Sequence, residues 1–586
     1  MDERNAMTAN IEPSVLHKER VFPRNKQVAE KAYPLSLLDA TTANYALTNA
    51  LWLFEPWEKA DSNITGFSLR NHLKQALSAT LDAYPQWCGH LKIVGTTDGK
   101  LENAAEHFPP HARRFGRVYA HYGTEDDPGV EFISCKSPAT LDMVYPESRT
   151  AKQPIWDRQD VSFSAFIPQT KIASPSSSPR SPGQDGLLEP LLAIQLTELA
   201  CGGFVVAAKI AHPLADITSL VQLIKDWSRV SSARLAASPE PILNPLFDPA
   251  LLDSHAAGDI NADQPDNNLV EQTRELPLHR YDWWASSEGA PWPRETPSVF
   301  LENSADGRSL PPAGKVMPWP EWDIKEHVSH YTIHLTHDQT EYLWRQSSGT
   351  SDRSSPSSSP PPPRISRHDA VLAHIWSCIT RARKFQDDTG PVYCDLTYGL
   401  RPILKLGEAF LGSPIIIANT ELSGAVVSAS SAPDAKGEVA MRLAPLARAI
   451  RETLDTMSQM QAVAAHLHTL AYEKSPQRIW QAFLGRRHIL VTTWARAGLY
   501  DVDFGLGSRV AYADGVIPEL DGDVLIKEAP PSWQADSSSV PGTTTAAGRS
   551  WTRHGVDVSI NICDGDMARL IRDPLLLPDI SDGEGV

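Results

Sequence analysis

The sequence predicts a two-domain, layered α/β protein, and three features carry that prediction. The chain is 586 residues and 64.4 kDa, more than one hydrophobic core normally serves. In both halves its apolar pattern switches between the alternation of strands and the three-to-four spacing of helices. A polar, proline-rich stretch over 241–321 divides the halves. A structureless loop of that length inside one compact domain is unusual, so the stretch reads as a crossover between domains. The expected units are an N-terminal domain over 1–240, a crossover over 241–325 and a C-terminal domain over 326–586.

Leu69, Leu73, Leu77 and Leu81 stand four apart and predict an amphipathic helix over 69–83, stopped before Pro85. Residues 191–198 and 203–211 are predicted strands of one sheet, with Phe204, Val206, Ala208 and Ile210 alternating. Ile217, Leu220, Val221, Ile224 and Trp227 follow at helical spacing. In the second half, 369–384 and 441–460 are predicted helices, and 331–335, 391–398 and 556–562 predicted strands. The Ser/Pro-rich runs at 174–186 and 348–364 read as surface insertions. Trp283, Trp284, Trp292, Trp319 and Trp322 predict that the crossover packs down rather than floating. No repeat at a fixed period is present.

Composition excludes some partners. With 41% hydrophobic and 21% charged residues the chain is ordinary for a soluble globular protein. A net charge of −17 and a pI near 5.6 argue against a nucleic-acid binder, which needs a basic stripe. A phosphorylated co-substrate would have to be met by a local basic cluster or a helix N-terminus. The six cysteines (88, 135, 201, 378, 394 and 563) form no CxxC and no disulfide rhythm, which predicts a reducing compartment. Residues 1–24 are polar and charged, so no secretory signal is expected. The apolar region 191–220 is broken by Glu198, Lys209, His212 and Asp216, so it predicts no membrane span. The sequon Asn63-Ile64-Thr65 then has no expected role. The expectation is a cytoplasmic protein.

The richest local signal is His212-Pro213-Leu214-Ala215-Asp216, between the strand over 203–211 and the helix from Ile217. A histidine at a rigid strand-to-helix junction can be aimed into a cleft. Its imidazole can take up and return a proton near neutral pH, as a general base must. Spacing alone says little, since 19 histidines give about one HxxxD match by chance. His255 to Asp259 is that match, in a Pro/Asp/Asn-rich segment with no strand before it, and reads as loop. The residues alone also allow a His212–Asp216 dyad of the hydrolase kind.

A second constellation runs from Val491 to Gly507 (VTTWARAGLYDVDFGLG), where Gly505 and Gly507 permit a tight turn. It is no GxGxxG, because Val510 stands where the third glycine would be. The two blocks together resemble the BAHD superfamily of CoA-dependent acyltransferases, which carries HxxxD mid-chain and DFGWG near the end. Pro34-Leu35-Ser36-Leu37-Leu38-Asp39 is similar to its opening LSxLD, and the block from Leu81 to Leu91 to its yPLAGRL. Ile365 to Val371 is similar to ISTFDAL, Tyr398 to Arg401 to vNxR, and Leu411-Gly412-Ser413 to FGN. The longer chain and its insertions look more like fungal members than plant ones.

The resemblance implies two similar chloramphenicol-acetyltransferase-like domains, each a mixed sheet with helices, meeting at a central channel. It implies His212 as general base in that channel, acyl-CoA as co-substrate, no acyl-enzyme and no tightly bound cofactor. It implies that Asp216 points away from the base as structural support, paired with Arg401. Thr492 and Trp494 match positions on the acceptor side that can steady a developing oxyanion. Asp503, Gly505 and Gly507 match a loop that shapes the CoA side, and Ser366, Arg364 and Arg367 stand where CoA phosphates could be met or where solvent is. Three positions depart from the family: Ile217 replaces a glycine, Leu506 a tryptophan and Ser413 an asparagine. None removes the base, so activity is expected to survive. Ile217 is expected to narrow the channel, and Ser413 leaves the asparagine's role without a carrier.

His334 and His337 lack a partner at zinc spacing, so no metal site is expected. With no GxSxG and no P-loop, neither an α/β hydrolase nor an NTPase is expected. The expected protein is a monomeric O-acetyltransferase acting on a fungal secondary metabolite, without nucleic-acid or membrane partners. N-acylation by the same machinery, a condensation-type enzyme and a non-catalytic scaffold are the alternatives. The condensation reading is weakened by Ala211, where a second histidine would stand.

Overall fold

A computed structural model describes residues 11–25, 28–42, 47–57, 67–94, 105–146, 148–159, 161–174, 188–285, 288–290, 314–348, 364–429, 436–480, 482–531 and 550–580. Trp292, the sequon and nearly all of both predicted insertions lie outside the described residues. The strands that build the two main sheets are β1 (Ser14–Val21), β2 (Leu47–Phe54), β3 (Val130–Lys136), β4 (Ile155–Asp157), β5 (Leu192–Glu198) and β6 (Phe204–Ala211), then β7 (Val328–Leu335), β8 (Pro391–Gly399), β9 (Ile415–Ser423), β10 (His488–Thr493), β11 (Val510–Gly515), β12 (Asp523–Glu528) and β13 (Val556–Cys563). The helices that bear on the site are α1 (Leu37–Thr41), α2 (Leu69–Thr80), α3 (Ile217–Leu235), α4 (Arg367–Ala382), α5 (Lys436–Met457) and α6 (Met460–Tyr472).

A six-stranded sheet runs in the order β1-β3-β5-β6-β2-β11, and a seven-stranded sheet in the order β9-β8-β10-β12-β13-β7-β4. Each is mixed: β3 and β5 are parallel in the first, and β8–β10 and β10–β12 in the second. The two halves of the chain exchange strands. β11, from the second half, pairs antiparallel with β2, while β4, from the first half, pairs with β7.

Strand alternation decides where the cores lie. Trp52, Phe54, Val206, Ala208 and Ile210 face α2 and α3, burying Leu73, Leu77, Leu220, Ile224 and Trp227 with them. Each such side chain contributes about 1.5–3 kcal/mol when fully removed from water. Leu51, Leu53, Val205 and Ala207 point the other way, onto Trp156, Phe163 and Tyr512. The second core lies between the seven-stranded sheet and α4, α5 and α6.

The exchange brings buried charges together. Arg158, just after β4, donates to Asp514 of β11 at 2.7 Å, and Arg149 donates to both oxygens of Asp557 at 3.0 and 2.9 Å. Lys527 of β12 lies 3.5 Å from Asp514 and 3.8 Å from Asp557. Charges this deeply buried are tolerable only when paired.

The predicted helix over 69–83 is α-helical to Thr80 and closes with a 3₁₀ turn, Leu81–Ala83. The stretch predicted as one helix over 441–460 is two, because Gln459 is extended and starts α6 afresh. In the crossover, Trp283 meets Trp319 edge-on at 5.0 Å and Trp319 stacks on Trp322. With Phe483 they form a small core of their own. Among the described residues no helix is long and apolar enough to cross a membrane.

Candidate active site

The strand β6 ends at Ala211, and His212–Leu214 make one 3₁₀ turn in which Pro213 fixes the backbone. Ala215 is extended, and Asp216 is the N-cap of α3, its Oδ1 accepting from the Ser219 amide at 3.0 Å. Such a cap stabilises a helix start by about 1 kcal/mol. His212 is therefore held between two rigid elements, half-buried at their junction. Burial lowers its pKa below the ordinary value, against a smaller opposing pull from the Asp216 charge and a backbone hydrogen bond. The ring is neutral at neutral pH.

Proton counting assigns the tautomer. Ser413 Oγ donates its one proton to the His212 carbonyl, which can only accept. The same oxygen lies 3.0 Å from His212 Nδ1, so Nδ1 must carry the proton of that bond. The lone pair is left on Nε2. Ser413, one of the three positions that depart from the resemblance, therefore bears directly on the imidazole.

Asp216 does not serve the ring. Arg401 takes both its oxygens, with Nη2 at 2.9 Å from Oδ1 and Nη1 on Oδ2. Arg401 Nη2 also donates to Ser219 Oγ at 2.9 Å and to the Phe410 and Gly412 carbonyls at 3.1 and 3.2 Å. The Asp216 amide and the Ser219 hydroxyl donate to the Gly412 carbonyl, and the Gly412 amide donates back to Ser219 Oγ. The segment 410–413 of the second domain is thus sewn onto the first turn of α3. Gly412 has φ +134°, a conformation that side chains disfavour.

Thr492 lies in β10, paired with Leu525 of β12. Trp494 follows the strand, its amide donating to the Ile526 carbonyl at 2.8 Å. The Trp494 ring is buried in the first domain's core with Ala211 and Leu214 and packs on Gly515, where a methyl group would meet it at 2.4 Å. It is a residue of one sheet filling the core of the other. Ile217, the first residue of α3, is partly buried against the same core.

The DFGLG segment sits elsewhere. The Ser231 and Ser232 hydroxyls, near the far end of α3, donate to the Phe504 and Asp503 carbonyls at 2.8 Å. Fourteen residues of helix separate Ser231 from Ile217, about 21 Å. Asp503 Oδ1 accepts from the Gly505 amide at 2.7 Å, and Phe504 packs edge-on against Trp227 at 5.0 Å. Gly505 has φ +78°, and a Cβ there would lie 2.7 Å from Ser232 Cα. Gly505→Ala is expected to destabilise the protein by about 2 kcal/mol or more, measured by urea unfolding. Gly507 has φ +67° and open space around it, and Leu506 is buried in the first core.

Ser366 is the N-cap of α4 in a full capping box with Asp369. Arg451 holds both members of that box. Arg367 is paired with Glu341 and lies over the Trp344 ring, and Arg364 is exposed.

The other histidine patterns have local partners. His255 donates to the Leu251 carbonyl and Asp259 accepts from the Asn261 amide, both in turns. His334 bonds Asp557 at 2.8 Å, and His337 donates to the Thr552 carbonyl. His279, Asp395 and His488 converge in a buried cluster with donor atoms within 4.8 Å of one another. His488 bonds Asp395 at 2.9 Å and Asn419 donates to Asp395 at 2.8 Å, but His279 stands 3.9 Å off. A tetrahedral ion with bonds near 2.0–2.1 Å wants such atoms about 3.3–3.4 Å apart. The cluster has the geometry of a hydrogen-bonded pair beside a third ring.

The model of the Transferase family matches residues 126–278 and 293–540. The chain is 22% identical over 501 residues to an acyltransferase, AFT15-1, of Alternaria alternata, covering 83% of this chain and 84% of that one. It is 23% identical over 573 residues to an acyltransferase, abl6, of Leptosphaeria maculans, covering 96% and 98%. Among solved structures, TRI101 of F. graminearum, complexed with coenzyme A and deoxynivalenol, superposes with a TM-score of 0.58 at 15% identity, covering 93% and 98%. Vinorine synthase superposes at 0.54 with 14% identity, covering 97% and 99%. A family model that matches well over half of the chain, with a fold that superposes on those structures over nearly its whole length, places this protein in the Transferase family as a CoA-dependent acyltransferase of the BAHD type.

Proposed function

We propose that the protein transfers acetyl from acetyl-CoA to a hydroxyl group of a fungal secondary metabolite, with His212 as general base. The observation that carries this reading is the bonding of that ring: Ser413 Oγ spends its one proton on the His212 carbonyl and lies against Nδ1, which leaves the lone pair on Nε2, without a partner among the described residues. In the reaction Nε2 takes the acceptor hydroxyl proton as the oxygen attacks the thioester carbonyl. The imidazolium then returns that proton to the departing thiolate as the C–S bond breaks. Proton and electron pair balance without an acyl-enzyme. Thr492 is taken to steady the oxyanion between these steps, and Trp494, whose ring fills the core beside Ala211 and Leu214, to wall that side of the site. Asp503, Gly505, Gly507 and Ser366 shape the CoA side through the backbone they fix. AFT15-1 and abl6, named as acyltransferases, support the transfer itself, and TRI101, solved with coenzyme A and deoxynivalenol, supports a small-molecule acceptor. Six unpaired cysteines support a cytoplasmic protein, here taken to act as a monomer.

The test is acceptor-dependent thiol release from acetyl-CoA over a pooled fungal metabolite extract, with mass spectrometry of the pool. A new acetyl ester carries the reading, whereas an amide product or a larger acyl group transferred in preference overturns it. The pH dependence follows from the ring. A base must be deprotonated to act, and burial lowers the pKa of His212. The acid limb of kcat/KM is therefore expected to bend below pH 6.5, the ordinary histidine value, and the rate to stay level through neutrality.

A further inference from the structure

We propose that Asp39 is a positioning residue for His212, acting through Ser413; this rests on His212 being the base of the proposed reaction. Asp39 is fully buried in α1, a five-residue helix that carries residues of both cores. Leu37 and Leu38 belong to the second domain's core, Leu35 and Ala40 to the first's. The helix is pinned from outside as well. Asp253 accepts from the Leu37 amide at 2.9 Å, and Gln477 donates to the Ala40 carbonyl at 2.6 Å.

From this fixed platform the Asp39 carboxylate reaches the segment that orients the base. Its Oδ1 accepts from the Ser413 amide at 2.6 Å, and a Cβ on Gly412 would lie 2.9 Å from the same oxygen. Its Oδ2 accepts from the Ser36 amide at 3.1 Å and the Ser36 hydroxyl at 2.6 Å. Ionised, the group only accepts, and three donors converge on it. The Ser413 backbone is fixed by Asp39, and the Ser413 hydroxyl fixes His212 through both Nδ1 and the carbonyl. The chain of contacts runs Asp39, Ser413 amide, Ser413 hydroxyl, His212 ring.

Asparagine at position 39 keeps the volume but cannot keep the bonds. Whichever way its amide turns, its NH₂ faces either the Ser413 N–H or the Ser36 donors. Asp39→Asn should therefore release Ser413 and blur the tautomer of His212, as Ser413→Ala does directly.

The measurement is a long-range ¹H–¹⁵N correlation on the full chain labelled at histidine nitrogen, with His212 assigned by its loss in His212→Ala. It is recorded near pH 8, above the value of about 7 to which burial lifts Asp39. The wild type is expected to show His212 protonated at Nδ1 alone, and Asp39→Asn and Ser413→Ala a growing share of the Nε2–H form. Thiol release from acetyl-CoA over the fixed metabolite pool is expected to fall roughly 10- to 100-fold in Ser413→Ala. The double variant should fall no further than Ser413→Ala alone. Wild-type His212 protonated at Nε2 overturns the proposal before any variant is made. So does a wild-type tautomer in Asp39→Asn, or losses that multiply in the double variant. The tautomer is read without any turnover, so its failure is distinct from a failure of the proposed reaction.

Discussion

His212→Ala is expected to lower kcat/KM by about 10²–10⁴-fold while leaving the fold intact. The alanine removes Nε2, the atom proposed to take the acceptor proton, and with it the ring's bond to Ser413 Oγ, but none of the contacts that hold the backbone of the junction. Ser413 still has the backbone carbonyl of residue 212 to donate to. Asp216 still caps α3 and still holds Arg401. Stability measured by urea unfolding should move by no more than about 1 kcal/mol. A residual rate should survive, because holding thioester and acceptor together supplies rate without a base. The measurement is acceptor-dependent thiol release from acetyl-CoA by both proteins at one concentration. Equal rates would remove His212 as the base, and a large loss of stability would make the rate comparison a statement about folding.

The junction that carries this prediction is legible in the sequence because each of its signals is local. Alternation marks β6, helical spacing marks α3, and Asp216 stands one residue before the first helical residue, where an N-cap belongs. What surrounds His212 is not local. Ser413 lies 201 residues away and meets Asp39 across 374. Nothing in a one-dimensional pattern brings those positions together. Arg401 entered only through the family resemblance, and Ser413 only as a departure from it. The strand exchange left no trace either, since β4 has three residues, too few to show a period, and no strand's pattern says which sheet it joins, β11 included. Expected boundaries at 240 and 326 describe segments of chain, and each sheet borrows one strand across them. The DFGLG glycines read correctly as a turn, but a turn says nothing about which helix it clamps.

Breaking the Asp216–Arg401 pair from one side is expected to cost about 3–5 kcal/mol. Both side chains are about nine-tenths buried, so the partner left behind is a charge without water. Arg401→Ala also strips donors from the Phe410 and Gly412 carbonyls, and Asp216→Ala also removes the cap of α3. Because the two losses share one interaction, the double variant should be less destabilised than the sum by about 1–3 kcal/mol, read by urea unfolding. Activity separates this role from direct service to the imidazole. Asp216→Asn keeps an oxygen for the Ser219 amide but removes the charge, and that charge raises the pKa of His212. The acid limb of kcat/KM should therefore move to lower pH, and the plateau should fall only as far as loosening of the 410–413 segment displaces Ser413. A plateau lost at full stability, with the acid limb unmoved, would return Asp216 to the catalytic ring and leave Arg401 as its ornament.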